Sequence, residues 1–329
     1  MAPGENPPLS VVVAIVSDTT DHPDTAHLAP CLEALCRQPL ASTIEIIVPY
    51  HPSVKGIAAL KERYPNVHFL EVADLRTYTG AGGSREHHDE LRARGLAVAR
   101  GSVVALIEDH GIVAPDWSTR LLEAHAGSFA ALGGAIENGV DRPLNWAVYF
   151  CDFLRYQNPL PEGETAIVSD ANVAYKRTAL ESIRPIWQEI FHEASVTAAL
   201  RSRGQKLSLA PAAILYQHRQ GLRVRSALRE RFVWGRSYAA TRARLARPSQ
   251  RVFWAVFAPS LPILMIARMT LMAWKKRRSM AALLKALPLT SALAVSWSCG
   301  EWMGYVTGRA NAAGSQAAEA IARGSQAPS

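Results

Sequence analysis

The stretch Ser102–Trp117, SVVALIEDHGIVAPDW, decides the fold. Val103–Ile107 is an uninterrupted apolar run of strand length, which suits a strand covered on both faces of a parallel sheet. The run stops at Glu108-Asp109-His110-Gly111, followed by Pro115, Asp116 and Trp117. In open α/β sheets, ligands collect outside the carboxyl ends of the strands. Two acids and an imidazole at that place have the donor chemistry to hold a divalent cation and, through it, a diphosphate. A surface turn would use the same Asp and Gly, so the surrounding chain has to decide.

Upstream, Leu9–Val16 (LSVVVAIV) is a continuous β-branched run that reads as a central parallel strand, ending in the polar Ser17-Asp18-Thr19-Thr20. Leu28–Arg37 has helical spacing, with Leu28, Cys31, Leu32, Leu35 and Cys36 on one face. Ile44–Val48 is the second strand, closed by Pro49. A helix over Gly56–Arg63 leads to a third strand, Val67–Val72. This β-α-β-α-β alternation implies a mainly parallel sheet flanked by helices, an α/β fold. Thr77–Ser84 (TYTGAGGS) is Gly-rich but lacks the lysine and following helix of a phosphate loop.

Downstream, the patterns predict a charged helix over Arg85–Arg100, a helix over Trp117–Ala126, and a strand over Ala130–Ile136. They continue with an aromatic-rich Asn145–Arg155, a short strand over Ser169–Tyr175, and a helix over Lys176–Ile183. One long helix is expected over Ile186–Gly204, then a pair of strands around Pro211 within Lys206–His218.

The 329 residues carry a net charge of +8, and neither charge nor apolarity is spread evenly. Arg223–Arg247 reads as an amphipathic helix with eight arginines against one acid, Glu230. Val252–Trp274 is 23 residues with one charge, Arg268, and two prolines, long enough to span a bilayer or lie deep in one. Ala281–Thr307 is a weaker second apolar segment. A basic helix beside an apolar tail points to anionic lipid rather than nucleic acid, and no nucleic-acid module is present. Basic clusters flank the first segment on both sides, the second being Lys275-Lys276-Arg277-Arg278. The positive-inside rule wants both in the cytoplasm, which a plain spanning hairpin forbids. Membrane association with the main domain on the cytoplasmic side is therefore expected, with the crossing number open. Four cysteines lack paired metal spacing, and Cys31 and Cys36 read as core thiols of a reducing compartment. Met1–Ser10 is Pro-rich and polar, without the pattern of a secretory signal.

The order of these features resembles the family 2 glycosyltransferases, nucleotide-sugar enzymes of GT-A fold, over about Leu9–His218. CLEALCRQP is similar to the family's "CLxSLxxQ" helix. Leu91–Gly101 (LRARGLAVARG) looks like "ARNxGLxxAxG", with Arg92 kept and Ala93 in place of Asn. LIEDHGIVAPDW falls at the acidic Asp-x-Asp segment and the later "P-x-W". SDANVAYKRTAL resembles "GGNxAYRRxAL", and HEASVTAALRSRG resembles "EDxxLxxRLxxxG". The domain division implied is a disordered 1–8, a GT-A domain over 9–220, a basic amphipathic helix over 221–250, two hydrophobic membrane-associated helices over 251–308, and a disordered tail over 309–329.

The resemblance implies an inverting transfer of a single sugar from a nucleotide-sugar donor to a glycan or lipid-linked acceptor. A divalent cation, Mn2+ or Mg2+, stabilises the leaving diphosphate. It places Asp109, His110 and His218 on the metal, and Asp18, Arg92, Glu108, Asp109 and Asn172 on the donor. Inversion needs a base on the opposite side to take the acceptor's proton. Glu193 is expected in that role, with Glu189, one helical turn away, as the fallback. Two positions depart from the pattern. The acidic "DDGS" that reads the nucleotide base is Pro49-Tyr50-His51-Pro52-Ser53 here, and the metal triplet is Glu-Asp-His. Arg229–Trp234 (RERFVW) does not match the "QxxRW" of polymerising relatives, which favours single-sugar transfer. The competing readings are a catalytically silent relative serving as a membrane scaffold and a nucleotidyltransferase. The latter would need a basic Gly-rich loop after the first strand, which Ser17–Thr20 does not offer.

Overall fold

The structure, a computed structural model, describes residues 6–16, 25–77 and 85–309. Residues 1–5, most of Thr77–Ser84 and the tail beyond 309 lie outside the described residues. The chain divides into two compact units, residues 1–139 with 156–218 and residues 140–155 with 219–329.

The first unit is built on a nine-stranded sheet. Its first half alternates strand and helix as the sequence patterns require: β1 (Leu9–Ala14), α1 (Leu28–Cys36), β2 (Glu45–Tyr50), α2 (Ile57–Arg63), β3 (His68–Glu71), α3 (Arg85–Val98) and β4 (Val103–Glu108). After these come β5 (Gly111–Val113), α4 (Trp117–His125) and β6 (Ala131–Asn138). Beyond a helix of the second unit, α5 (Pro143–Asp152), follow β7 (Gly163–Thr165), β8 (Asn172–Lys176), α6 (Arg177–Ser182), α7 (Arg184–Trp187), α8 (Glu193–Ser202) and β9 (Leu207–Gln217). The strand order is β3-β2-β1-β4-β8-β6-β9-β5, with β7 paired to β9. β1 to β4, β6 and β9 run one way, while β5, β7 and β8 run against them. The α/β expectation therefore holds, with antiparallel insertions in the second half.

All six residues of β1 are buried, because β2 and β4 pair on either edge and helices cover the faces. α3 lies directly on β1: a Cβ at Gly95 would come 2.5 Å from Val12 Cγ1. The core behind β4 and β8 joins Val104, Leu106, Val173 and Tyr175 to Trp187, Val196 and Leu200 of the following helices and to Phe191 between them.

Several local expectations are corrected. β2 runs through Pro49 to Tyr50. The Tyr50 carbonyl accepts from Val72 N–H on the β3 side, so Pro49 faces the β1 side, past Ile47 where that pairing ends. No ladder donor is lost there. Cys31 is buried but Cys36 is exposed at the end of α1. The segment Ile186–Gly204 is two helices, α7 and α8, separated by 188–192, where His192 is extended (φ −103°, ψ 108°). Pro211 does not divide a strand pair. β9 is one strand whose pairing with β6 jumps from Gly134–Ala210 to Ala135–Ile214, so Pro211–Ala213 form a bulge.

The bulge is held by Asn172, whose Nδ2 donates to the carbonyls of Ala135 and Ala213, both at 2.9 Å, while its Oδ1 accepts from Trp117 Nε1 at 3.0 Å. Gly134 leaves room for that amide.

The second unit is helical: α5, α9 (Val224–Leu245), α10 (Pro248–Phe257), α11 (Leu261–Lys276) and α12 (Met280–Thr307). It includes residues 140–155, which lie within the stretch assigned from sequence to the GT-A domain. α5 and α9 are joined by the buried Arg231, whose guanidinium donates to both carboxylate oxygens of Asp152. Pro248–Lys276 and Met280–Thr307 are each long and apolar enough to cross a membrane, by length and composition.

Substituting Gly134→Ala puts a Cβ 2.2 Å from Asn172 Nδ2 and 2.3 Å from the Ala213 carbonyl oxygen. Such overpacking costs about 1–3 kcal/mol. The expected result in urea unfolding is a lowered midpoint for this variant and an unchanged one for Gly127→Ala, whose Cβ would meet nothing nearer than 3.5 Å.

Candidate functional site

The site is assembled where β1 and β4 end side by side. The Asp109 backbone N–H donates to the Ala14 carbonyl at 2.9 Å, and the Val16 N–H donates to Asp109 Oδ1 at 3.2 Å. The Asp109 side chain is thereby fully buried at the seam of two parallel strands. His110 follows with its ring between two acids, Nε2 at 3.2 Å from Glu108 Oε2 and Nδ1 at 3.3 Å from Asp109 Oδ1. Burial by itself would depress the imidazole's pKa. The hydrogen bonds to Asp109 and Glu108 outweigh it, and the pKa is pushed up to about 9. The ring is thus an imidazolium at neutral pH.

Beneath this end of the sheet lies Arg92, on the face of α3 turned inward, with only 3% of its side chain exposed. Its guanidinium meets Asp89 at 2.8 Å, Glu108 at 3.2 Å and Asp170 at 3.3 Å. Burial opposes this charge, and the three carboxylates more than compensate, so Arg92 titrates above its ordinary range. Arg92 Nε has no hydrogen-bond partner among the described residues. From Asp170 the network continues: its backbone N–H donates to Glu193 Oε2 at 3.3 Å. Glu193 is the first residue of α8 and only part-buried, and the positive end of a helix dipole suits a carboxylate there.

The structure thus brings Arg92, Glu108, Asp109, His110 and Glu193 together. Other expected residues stand elsewhere. Asn172 is 1% exposed and its amide is committed to Trp117, Ala135 and Ala213, so it braces the sheet and presents no free group to a donor. His218 follows β9, and its backbone N–H donates to the His110 carbonyl at 2.8 Å. It lines an open groove of about 440 Å³ with Glu33, Arg37, Ile112 and Tyr216. Glu189 falls in the break between α7 and α8, 68% exposed and 3.2 Å from Arg76. It shares no helical face with Glu193, because the helix expected to carry both is interrupted. Asp18 lies outside the described residues. Two network members escaped the sequence reading. Asp89 stands three residues before Arg92, a spacing that faces both onto one side of a helix. Asp170 lies two residues before Asn172 in SDANVAY, where nothing local marks its partner.

Among the described residues, no group of three or more His, Cys, Asp or Glu side chains is arranged to hold a metal ion. The expected trio Asp109, His110 and His218 does not form such a group here: the His110 ring nitrogens lie 3.2 Å from Glu108 and 3.3 Å from Asp109. The donor chemistry nonetheless suits a hard cation. Asp89, Glu108, Asp109, Asp170 and Glu193 supply five carboxylates against the charges of Arg92 and His110. Magnesium and manganese sites commonly use one or two carboxylates and take the rest from substrate phosphates.

The pH dependence of stability follows from His110. Its folded pKa lies above the unfolded value of about 6.5, so its contribution is complete below that pH and is lost as pH rises through about 9. A shift of this size corresponds to at most about 3 kcal/mol. Unfolding measured at pH 6 and pH 9.5 should show the wild type losing more stability than His110→Asn. Arg92→Met should be the more damaging change, by about 3–5 kcal/mol at neutral pH, because it leaves buried carboxylates without their cation.

No protein-family profile matches the chain, and no curated protein sequence matches it. Among solved structures the chain is similar to the mannosyltransferase PcManGT from Pyrobaculum calidifontis in complex with GDP-Man and Mn2+. The two share 15% sequence identity over 97% of this chain and 81% of that one, with a TM-score of 0.47.

Proposed function

We propose that the α/β unit is an inverting glycosyltransferase of GT-A type that transfers one sugar from a nucleotide-sugar donor to a lipid-linked or surface-glycan acceptor at the cytoplasmic face of a membrane. The observation that carries this reading is the Arg92-centred network. It holds Glu108 at the carboxyl end of a parallel strand, where α/β sheets bind ligands, beside Asp109, which the Val16 N–H and His110 hold, and ties Glu193 to it through Asp170. In this reading residues 9–220 supply most of the catalytic domain, and residues 221–308 hold it at the membrane.

The roles follow from charge and placement. Transfer breaks the bond between the anomeric carbon and the diphosphate oxygen, which leaves with the electron pair. The acceptor oxygen forms the new bond from the opposite face and gives its proton to the Glu193 carboxylate. A divalent cation, Mn2+ or Mg2+, held by Glu108 and Asp109 would supply charge stabilisation for the departing diphosphate. Arg92 is a positioning residue, since its guanidinium is buried under the carboxylates. Tyr50-His51-Pro52-Ser53 replaces the acidic base-reading segment. There Ser53 turns back on His51, with Oγ 2.8 Å from Nδ1, and the Tyr50 hydroxyl donates to Glu71 Oε2 at 2.7 Å, so a nucleotide base would meet a segment without acids of its own.

Calorimetric titration of the full chain with UDP, GDP and dTDP, with manganese and then with chelator, tests the reading. One nucleotide should bind, at least about tenfold more weakly to Asp109→Asn, in keeping with loss of one charged contact. Glu193→Gln should keep that binding and lose transfer. Absence of binding by all three would favour the silent-scaffold alternative.

A further inference from the structure

The helical unit fixes how the apolar segments meet the bilayer, a question that rests on the membrane reading above. α10 and α11 run antiparallel to α12. Ser298 Oγ donates to the Ala258 carbonyl at 2.5 Å, Trp254 packs on Tyr305 with ring centroids 5.5 Å apart, and Arg251 Nη2 donates to the Val306 carbonyl at 2.6 Å. On another side of α12, α9 runs parallel to it. Ser296 Oγ donates to the Leu228 carbonyl at 2.7 Å, and a Cβ at Gly300 or Gly304 would come 2.1 or 2.5 Å from the carbonyl oxygens of Phe232 or Arg236. The two helices touch backbone to backbone, as small residues allow.

This register excludes a simple crossing by α12. Along Ser296–Thr307 it is bound to a helix that carries Arg229, Arg231, Arg236 and Arg242, charges that hydrocarbon rejects. Clear of α9, whose first residue Val224 falls beside Ala292 in this register, α12 retains only Met280–Ser291, roughly 18 Å at 1.5 Å per residue, against a hydrocarbon core of about 30 Å. That portion also contains Lys285 and Pro288. Its antiparallel partner α11 is 16 residues long, roughly 24 Å, and the rest of the apolar Pro248–Lys276 stretch, α10, lies alongside the part of α12 that α9 holds. The two join at a tight turn in which Arg277 and Ser279 both take positive φ, 52° and 60°, directly after Lys275 and Lys276. Set upright, the hairpin would drive this basic tip toward the far leaflet. Laid flat, it leaves the tip and the arginines of α9 in one headgroup layer.

The exposed surface fits the flat arrangement. Val256, Phe257, Ile263, Leu264, Leu271 and Trp274 are each between 50% and 73% exposed, recurring about every two helical turns along α10 and α11, with Trp274 one turn beyond Leu271. Met269 and Ala273 face inward. Arg268 stands in the exposed row, with a stem long enough to lift its charge to the headgroups. We propose that this stripe lies in the acyl layer of one leaflet of an anionic bilayer, with α10, α11 and α12 parallel to the membrane plane and none of them crossing it.

Two measurements on the full chain test this. In a background with the four native cysteines replaced by serine or alanine, Ser249→Cys and Ser279→Cys are labelled with an impermeant maleimide in sealed vesicles of one orientation. Detergent-opened vesicles serve as the reactivity control. Labelling of both from the same side is expected; labelling from opposite sides would overturn the flat arrangement while leaving membrane binding intact. The purified chain should also sediment with vesicles of phosphatidylcholine and phosphatidylglycerol more than with phosphatidylcholine alone. Ile263→Glu with Leu264→Glu should weaken that by at least about tenfold. If the unaltered chain binds neither vesicle, the membrane reading itself falls. If the double variant binds as the unaltered chain does, or a dimer dissociates in its place, the stripe is not the lipid face.

Discussion

A buried guanidinium among carboxylates is the constraint on which the α/β unit's working end depends. Arg92 is out of water, so its charge can be kept only by opposite charges brought to it. Those charges come from three parts of the chain: Asp89 on the same helix, Glu108 at the end of β4, and Asp170 before β8. A fourth, α8, is tied in through the bond from the Asp170 backbone to Glu193. One side chain therefore sets the mutual position of residues separated by a hundred positions in sequence. Nothing in the aliphatic core, which packs without direction, could specify that arrangement.

The carboxylates outnumber the cations around them, and the imbalance has a chemical direction. A buried excess of negative charge favours whatever cation can enter, whether a proton, a metal ion or the positive end of a dipole. His110 answers part of it as an imidazolium between Glu108 and Asp109.

The helical unit obeys a different constraint, the close approach of α9 to α12 at Gly235, Gly300 and Gly304. At these points any side chain would strike backbone, so the basic helix and the apolar helix form a single body. In the in-plane arrangement proposed above, the arginines set the level at which the apolar surface meets lipid.

By itself, the sequence determined the central strands, the helices that alternate with them, and the strand end at which Glu108, Asp109 and His110 stand. β-branched runs such as Val11–Val13 and Val103–Ile107 bury themselves wherever the chain goes, and polar residues directly after them must lie at a strand end. Residue type and place after a strand marked Glu108, Asp109 and His110, and the resemblance to the family 2 glycosyltransferases singled out Arg92 and Glu193. Only the tertiary structure decided what those residues face. The Asp170 partnership, the turning of His110 to two carboxylates, the commitment of Asn172 to the β9 bulge and the separation of Glu189 from Glu193 all depend on contacts between distant segments. The same holds for the apolar helices, whose composition permits crossing and whose packing against a basic helix no hydropathy pattern foretells. Local pattern governs what a segment can bury, whereas ion pairs and backbone approach depend on which other segment arrives, and that is a property of the folded chain.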